Sequence, residues 1–178
     1  MKRSFLLVTA ALAFVLAGPA ISQEAAPEAS GSGAAQIEIP STPQEFAMMA
    51  AQSNMFEIES SRVALEKAQQ DAVREFAQRM VDDHTMASQQ MMQAAQADAV
   101  TDVPQTLDAR HQEMLTQLQN AAPEQFDSQY LQMQLAAHQE AVALFEGYAQ
   151  QEGALADFAE TTVPTLQEHL SMVQDLAQ

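Results

Sequence analysis

Along residues 42–178 apolar side chains recur at three- and four-residue intervals, the spacing of one helix face, in four long stretches. The first runs from Pro43 to about Lys67, with Phe46, Ala50, Ser53, Glu57 and Ala64 on its inner stripe and Met49, Phe56 and Val63 beside it. The second, from Asp71 to about Ala97, carries Val73, Phe76, Ala77, Met80, His84 and Met91. The third long stretch, from Pro123 to about Gln151, carries Tyr130, Gln134, His138, Ala141, Phe145 and Tyr148. The last begins at Ala154, reaches the C-terminus and carries Leu155, Phe158, Thr162, Leu166, His169, Val173 and Leu176. A shorter helix from Pro104 to about Asn120 is expected between the second and third.

The punctuation agrees with this division. Thr42-Pro43-Gln44-Glu45 places a capping hydroxyl, a first-turn proline and a reciprocal carboxylate at the first helix start. Asp71 is expected to cap the second helix, and the tight connection over 68–70 makes the first two an antiparallel hairpin. Val100 to Val103 break the pattern, and Gly153 ends the third long helix. Pro164 falls inside the last helix, where it removes one backbone hydrogen bond and predicts a kink. The sum is an all-α fold, an antiparallel four-helix bundle with a short extra crossover helix.

Composition adds a compartment. Lys2 and Arg3 precede the apolar run Phe5 to Ala17 and then Ala20-Ile21-Ser22, the pattern of a cleavable signal peptide over residues 1–22, cut between Ser22 and Gln23. The apolar run is too short to span a bilayer of about 30 Å, and no later stretch is long and apolar enough to do so. The mature protein is therefore expected to be periplasmic or secreted. Residues 23–41, with Pro27, Ser30-Gly31-Ser32-Gly33 and Pro40, read as a flexible linker, and residues 42–178 as one domain. There is no cysteine, so disulfides, thiolate ligands and a cysteine nucleophile are excluded.

The chain carries 7 Lys+Arg against 24 Asp+Glu, a net charge of -17, and loss of Lys2 and Arg3 with the leader takes it near -19. Such a surface repels phosphate backbones and lacks the basic patch that nucleic-acid binding needs. Loose cation binding and simple solubility remain compatible with it.

Three of the four histidines, His84, His138 and His169, lie on the inner stripes of three different helices at similar distances from a helix-joining turn. In an antiparallel bundle equal distance means equal depth, at about 1.5 Å of rise per residue. The three imidazoles are therefore expected in one layer, and Glu57 on the first helix reaches nearly the same depth, whereas Glu59 shares a polar face with Gln52, Arg62 and Glu66. Buried imidazoles and a buried carboxylate are costly unless hydrogen-bonded to one another or bound to a metal. The set Glu57, His84, His138 and His169 suits one transition-metal ion, Zn, Cu, Fe or Mn. The metal-free alternative has Glu57 holding a protonated histidine while Gln134 or Thr162 satisfies the rest. Met80, one turn from His84, is expected in the core, with a soft ligand that favours copper as the alternative, and His111, in the polar context Arg110-His111-Gln112-Glu113, is expected at the surface.

Phe56-Glu57-Ile58, Leu65-Glu66-Lys67-Ala68, Phe76-Ala77, Met80-Val81, Asp83-His84, Phe126-Asp127, Tyr130, His138, Val163-Pro164 and His169-Leu170 occur in an order that resembles the ferritin-like domain of unknown function numbered 4142. The resemblance covers roughly Phe46 to the C-terminus. It implies an exported bacterial protein with a ferritin-like four-helix bundle, matching positions at Glu57, Asp83, His84, Asp127, His138 and His169, and no established reaction. Ferritin-like di-iron proteins use Glu-x-x-His pairs. Here the residues three before His84, His138 and His169 are Val81, Leu135 and Leu166, which argues against ferroxidase or oxygenase chemistry and for a mononuclear site. Asp83, next to His84, points elsewhere and is expected to stay solvated, with orientation of a neighbouring group as the alternative. Asp127 is expected to cap a helix start rather than bind metal.

No phosphate loop, nucleophile elbow or His-Glu-x-x-His motif is present. The sequence thus points to an exported metal-binding bundle in metal handling or envelope stress tolerance. The competing readings are a metal-free structural or interaction bundle, recruiting a partner through its acidic surface or through Met86, Met91 and Met92, and a redox enzyme using the same metal.

Overall fold

The computed structural model describes residues 38–178; the expected leader and most of the expected linker lie outside the described residues. Five helices follow one another: α1 (Pro43–Lys67), α2 (Asp71–Ala97), α3 (Ala109–Gln119), α4 (Pro123–Tyr148) and α5 (Ala154–Leu176). The described residues contain no strand. The long helices form two hairpins, α1 with α2 and α4 with α5; α2 also packs on α5 and α1 on α4, while α3 lies mainly against α1. None of these helices is long and apolar enough to cross a membrane.

The first helix starts as its sequence requires. Thr42 Oγ1 accepts from Glu45 N at 3.2 Å, and the Glu45 carboxylate reaches back to Ser41 N at 3.2 Å, one residue before the position a capping box engages. At α2 the expected cap is corrected. Asp71 is already inside the helix and pairs with Arg74, and the residue before the helix, Gln70, has no capping side chain. The carboxylate of Asp127 on α4 does that work instead, accepting from Gln69 N at 2.9 Å and Gln70 N at 2.9 Å. Asp127 thus caps a helix start, but the start of a neighbour rather than of its own helix.

The other hairpin is built the same way. Gly153 precedes α5 with φ of 117°, and Asp98, just past the end of α2, accepts from Ala154 N at 2.9 Å and Leu155 N at 2.8 Å. A Cβ at Gly153 would sit 3.0 Å from Asp98 Oδ2, so this turn needs glycine for both conformation and space.

The short helix begins at Ala109 rather than at Pro104. Asp108 caps it, accepting from His111 N at 2.8 Å, and the Gln52 side chain on α1 ties down the stretch before it by bonding Thr106 O and Asp108 N. That tether holds 104–107 out of helix. The third long helix ends at Tyr148, three residues before its expected end, and α5 continues across Pro164.

The core is split in two. One apolar cluster includes Phe46, Met91, Phe145, Tyr148, Leu155 and Phe158, with the Phe46 and Tyr148 rings stacked at 4.0 Å. The other includes Val73, Phe76, Met80, Phe126, Tyr130 and Val173. Along every long helix a polar layer separates them: Glu57 on α1, His84 on α2, His138 on α4 and His169 on α5, all buried.

Candidate metal centre

The three histidines meet. Their ring centroids are 5.4 to 5.7 Å apart, and one nitrogen of each lies within 4.8 Å of the other two. Three helices supply them because each imidazole occupies the inner stripe at the level between the two apolar clusters.

Each ring has one nitrogen tied to a protein acceptor. His84 Nδ1 donates to Asn54 Oδ1 at 2.8 Å, and the Asn54 amide nitrogen bonds His84 O and Ser88 Oγ, so its oxygen must face the ring. His138 Nδ1 donates to the carbonyl of Gln134, one turn earlier, at 2.9 Å. His169 Nε2 donates to Asp83 Oδ2 at 2.8 Å, and Arg79 Nε holds the same oxygen at 3.2 Å while its Nη2 reaches Glu168 at 3.0 Å. The nitrogens left over, His84 Nε2, His138 Nε2 and His169 Nδ1, are buried, and among the described residues no protein group hydrogen-bonds to them. This is the arrangement of metal-binding imidazoles, in which a second group fixes tautomer and ring orientation and leaves a lone pair aimed at the ion.

Electrostatics keep those lone pairs free. Burial drives His84 well below the ordinary imidazole range, reinforced by the neighbouring His138 and His169. Burial lowers His138 to about 4, and it also lowers His169, against the opposing pull of Asp83. All three are neutral at pH 7, the form that binds metal. An ion at ~2.1 Å from each nitrogen in tetrahedral geometry wants the nitrogens roughly 3.4 Å apart, a small closing movement for rings already on one level.

Glu57 stands outside this trio. Its Oε1 is 3.8 Å from His138 Nδ1, the nitrogen already engaged by Gln134, and not among the converging ligand atoms. Burial pushes its carboxyl up to about 8, so it carries a proton at pH 7. Around it lies a buried polar belt: Gln134 Nε2 donates to Ser60 Oγ at 3.1 Å, and Ser61 Oγ meets the Tyr130 hydroxyl at 2.8 Å. The Thr162 hydroxyl bonds Phe158 O at 2.7 Å, so neither Gln134 nor Thr162 offers its side chain to an imidazole.

Four other expectations change or hold here. Asp83 is not left to solvent: the α2–α5 contact brings His169 onto it. His111 is largely covered, its ring bonded to Asp108 at 2.9 Å and 5.3 Å from the Phe56 ring. Met91 is in the core while Met86 and Met92 are exposed, so the three do not form one surface. Met80 is fully buried core, as expected. Asn54 was not foreseen, because its role depends on α1 lying beside α2 at one register; only the general need of a ligating histidine for an acceptor hints at it.

Residues 26–176, which include every group above, match the domain of unknown function DUF4142. The chain belongs to that family. Comparison with curated proteins gives no match. The fold of this chain is similar to the crystal structure of a DUF305 fragment from Deinococcus radiodurans, with a TM-score of 0.67 over 79% of this chain and 98% of that one. Identity is 17%, so the likeness concerns the fold alone.

Proposed function

We propose that this DUF4142 protein is an exported, ferritin-like antiparallel four-helix bundle, with α3 as its crossover helix, that binds one transition-metal ion through His84, His138 and His169. The observation that carries the reading is the set of three buried nitrogens without a protein partner among the described residues, each on a ring whose other nitrogen is fixed. A buried polar atom left unpaired costs about 1–3 kcal/mol. Three of them on one level are relieved together by a single ion. Neutral imidazoles suit Zn, Cu, Fe or Mn. Glu57, behind His138, is a buried carboxyl that can balance the ion's charge once it gives up its proton, beside Asp83 on His169.

The leader-like residues 1–22 support export to the periplasm, and the acidic surface supports attraction of cations there. Metal handling or envelope stress tolerance is the role that joins these features. The test is elemental analysis of the mature protein purified from the periplasm without tag or chelator, beside the variant His84→Ala, His138→Ala, His169→Ala. Near-stoichiometric metal that disappears in the variant is the expected result. Two metal-free proteins that take up no Zn, Cu, Fe or Mn at micromolar concentration would leave a structural or interaction role in its place.

A further inference from the structure

The histidine layer is not packed tightly on all sides. A cavity of about 30 Å³ adjoins His84 and His169 but not His138. A water needs roughly 10–15 Å³ of such space, so the cavity has room for about two water-sized groups. Among the described residues no carboxylate joins the three converging histidine nitrogens. Asp83 Oδ2 is engaged by His169 and Arg79, Asn54 Oδ1 by His84, and the Thr162 hydroxyl donates to Phe158 O. Met91 also lines it but lies two turns of α2 beyond His84, about 10 Å along the axis.

The cavity also has a neighbour on the surface. A groove of about 560 Å³ runs between α2 and α5, and Asp83, Ala87, Phe158, Thr162 and Thr165 line both spaces. These side chains form the wall shared by the groove and the cavity beside His84 and His169.

Resting on the three-histidine reading, we propose that the bound metal keeps an open coordination position on the His84–His169 side. It takes there an exogenous ligand of two or three heavy atoms, of the size of peroxide, dioxygen or azide, which enters between α2 and α5. A three-histidine ion with no fourth protein ligand has the open position typical of reactive rather than structural sites. The cavity volume sets the upper size limit, and its largely apolar wall admits small neutral or singly charged molecules.

The test uses the mature protein loaded with Co²⁺, whose visible absorption reports coordination. Azide is expected to shift the spectrum saturably, and imidazole, too large for the cavity, is expected to leave it unchanged. Ala87→Leu, which fills the wall shared by cavity and groove, should still bind one Co²⁺ but weaken azide ~10-fold or more. Thr165→Leu, at a half-buried position on the same wall, gives the same readout should Ala87→Leu not fold. A Co²⁺-loaded protein whose spectrum ignores azide overturns the open position, as does equal azide affinity in wild type and both folded variants. Failure to bind Co²⁺ at all, by contrast, overturns the three-histidine site itself.

Discussion

At the scale of single residues, the second nitrogen of each imidazole decides what the first can do. Asp83 illustrates this: by accepting from His169 Nε2 it leaves Nδ1 as the atom for the proposed ion, and Arg79 holds it there. Asp83→Asn is expected to weaken metal binding about 10–100-fold without unfolding the protein, and Asn54→Ala to act similarly through His84. Competition titration against a chelator of known affinity measures both, and wild-type affinity in Asp83→Asn would remove it from the site. Glu57 governs the metal-free state. Its folded value near 8 lies above its ordinary 4.5, so the folded protein holds a proton that the unfolded chain releases, and stability falls as pH rises from about 4.5 through about 8. The histidines work oppositely: their folded values lie below 6.5, so stability falls as pH drops from 6.5, for His138 through about 4. The metal-free protein should therefore be most stable near pH 6.5 and lose stability both as pH rises towards 8 and as it falls towards 4. Glu57→Gln should flatten that alkaline limb in denaturant melts under chelator; an unchanged limb assigns the titration elsewhere.

At the scale of elements, each hairpin turn is secured by the other hairpin. Asp127 of α4 caps the α1–α2 turn, and Asp98 after α2 caps the α4–α5 turn. Neither α2 nor α5 has a capping side chain of its own, so among the described residues these carboxylates are the side-chain caps at those two ends. Asp127→Ala and Asp98→Ala should each cost ~1–2 kcal/mol of stability, measured by urea unfolding. Gly153→Ala should cost a similar ~1–2 kcal/mol, because alanine resists the positive φ and its Cβ crowds Asp98. These aspartates show where sequence stops being legible. The local boxes at Thr42 and Asp108 act on their own helices, and the first is readable from four consecutive letters. A cap delivered from more than fifty residues away carries no local signal, so Asp71 looked like the cap of α2 until α4 was in place.

At the scale of the whole molecule, the ion is expected to act as a stabiliser that links three helices. Ligand at about 1,000 times its Kd adds about 4 kcal/mol, which for a domain of this size raises Tm by roughly 10 °C or more. Thermal melts with added metal, with chelator, and on the triple-alanine variant measure it. A variant stabilised by metal as much as wild type would place the binding elsewhere.

Helical periodicity alone determined the all-helical class and every long helix to within a few residues. It also placed His84, His138, His169 and Glu57 on buried stripes, because a 3.6-residue repeat maps letters onto faces without reference to neighbours. Equal spacing from the turns set their common depth. Which nitrogens converge, that Asn54, Gln134 O and Asp83 tie off the others, that Glu57 falls behind His138, and that a small cavity opens beside His84 and His169 were decided only by tertiary structure. Those outcomes depend on the register and rotation of one helix against another. A shift of one residue there turns a side chain by about 100° and exchanges ligand for bystander, while the hydrophobic pattern stays nearly the same.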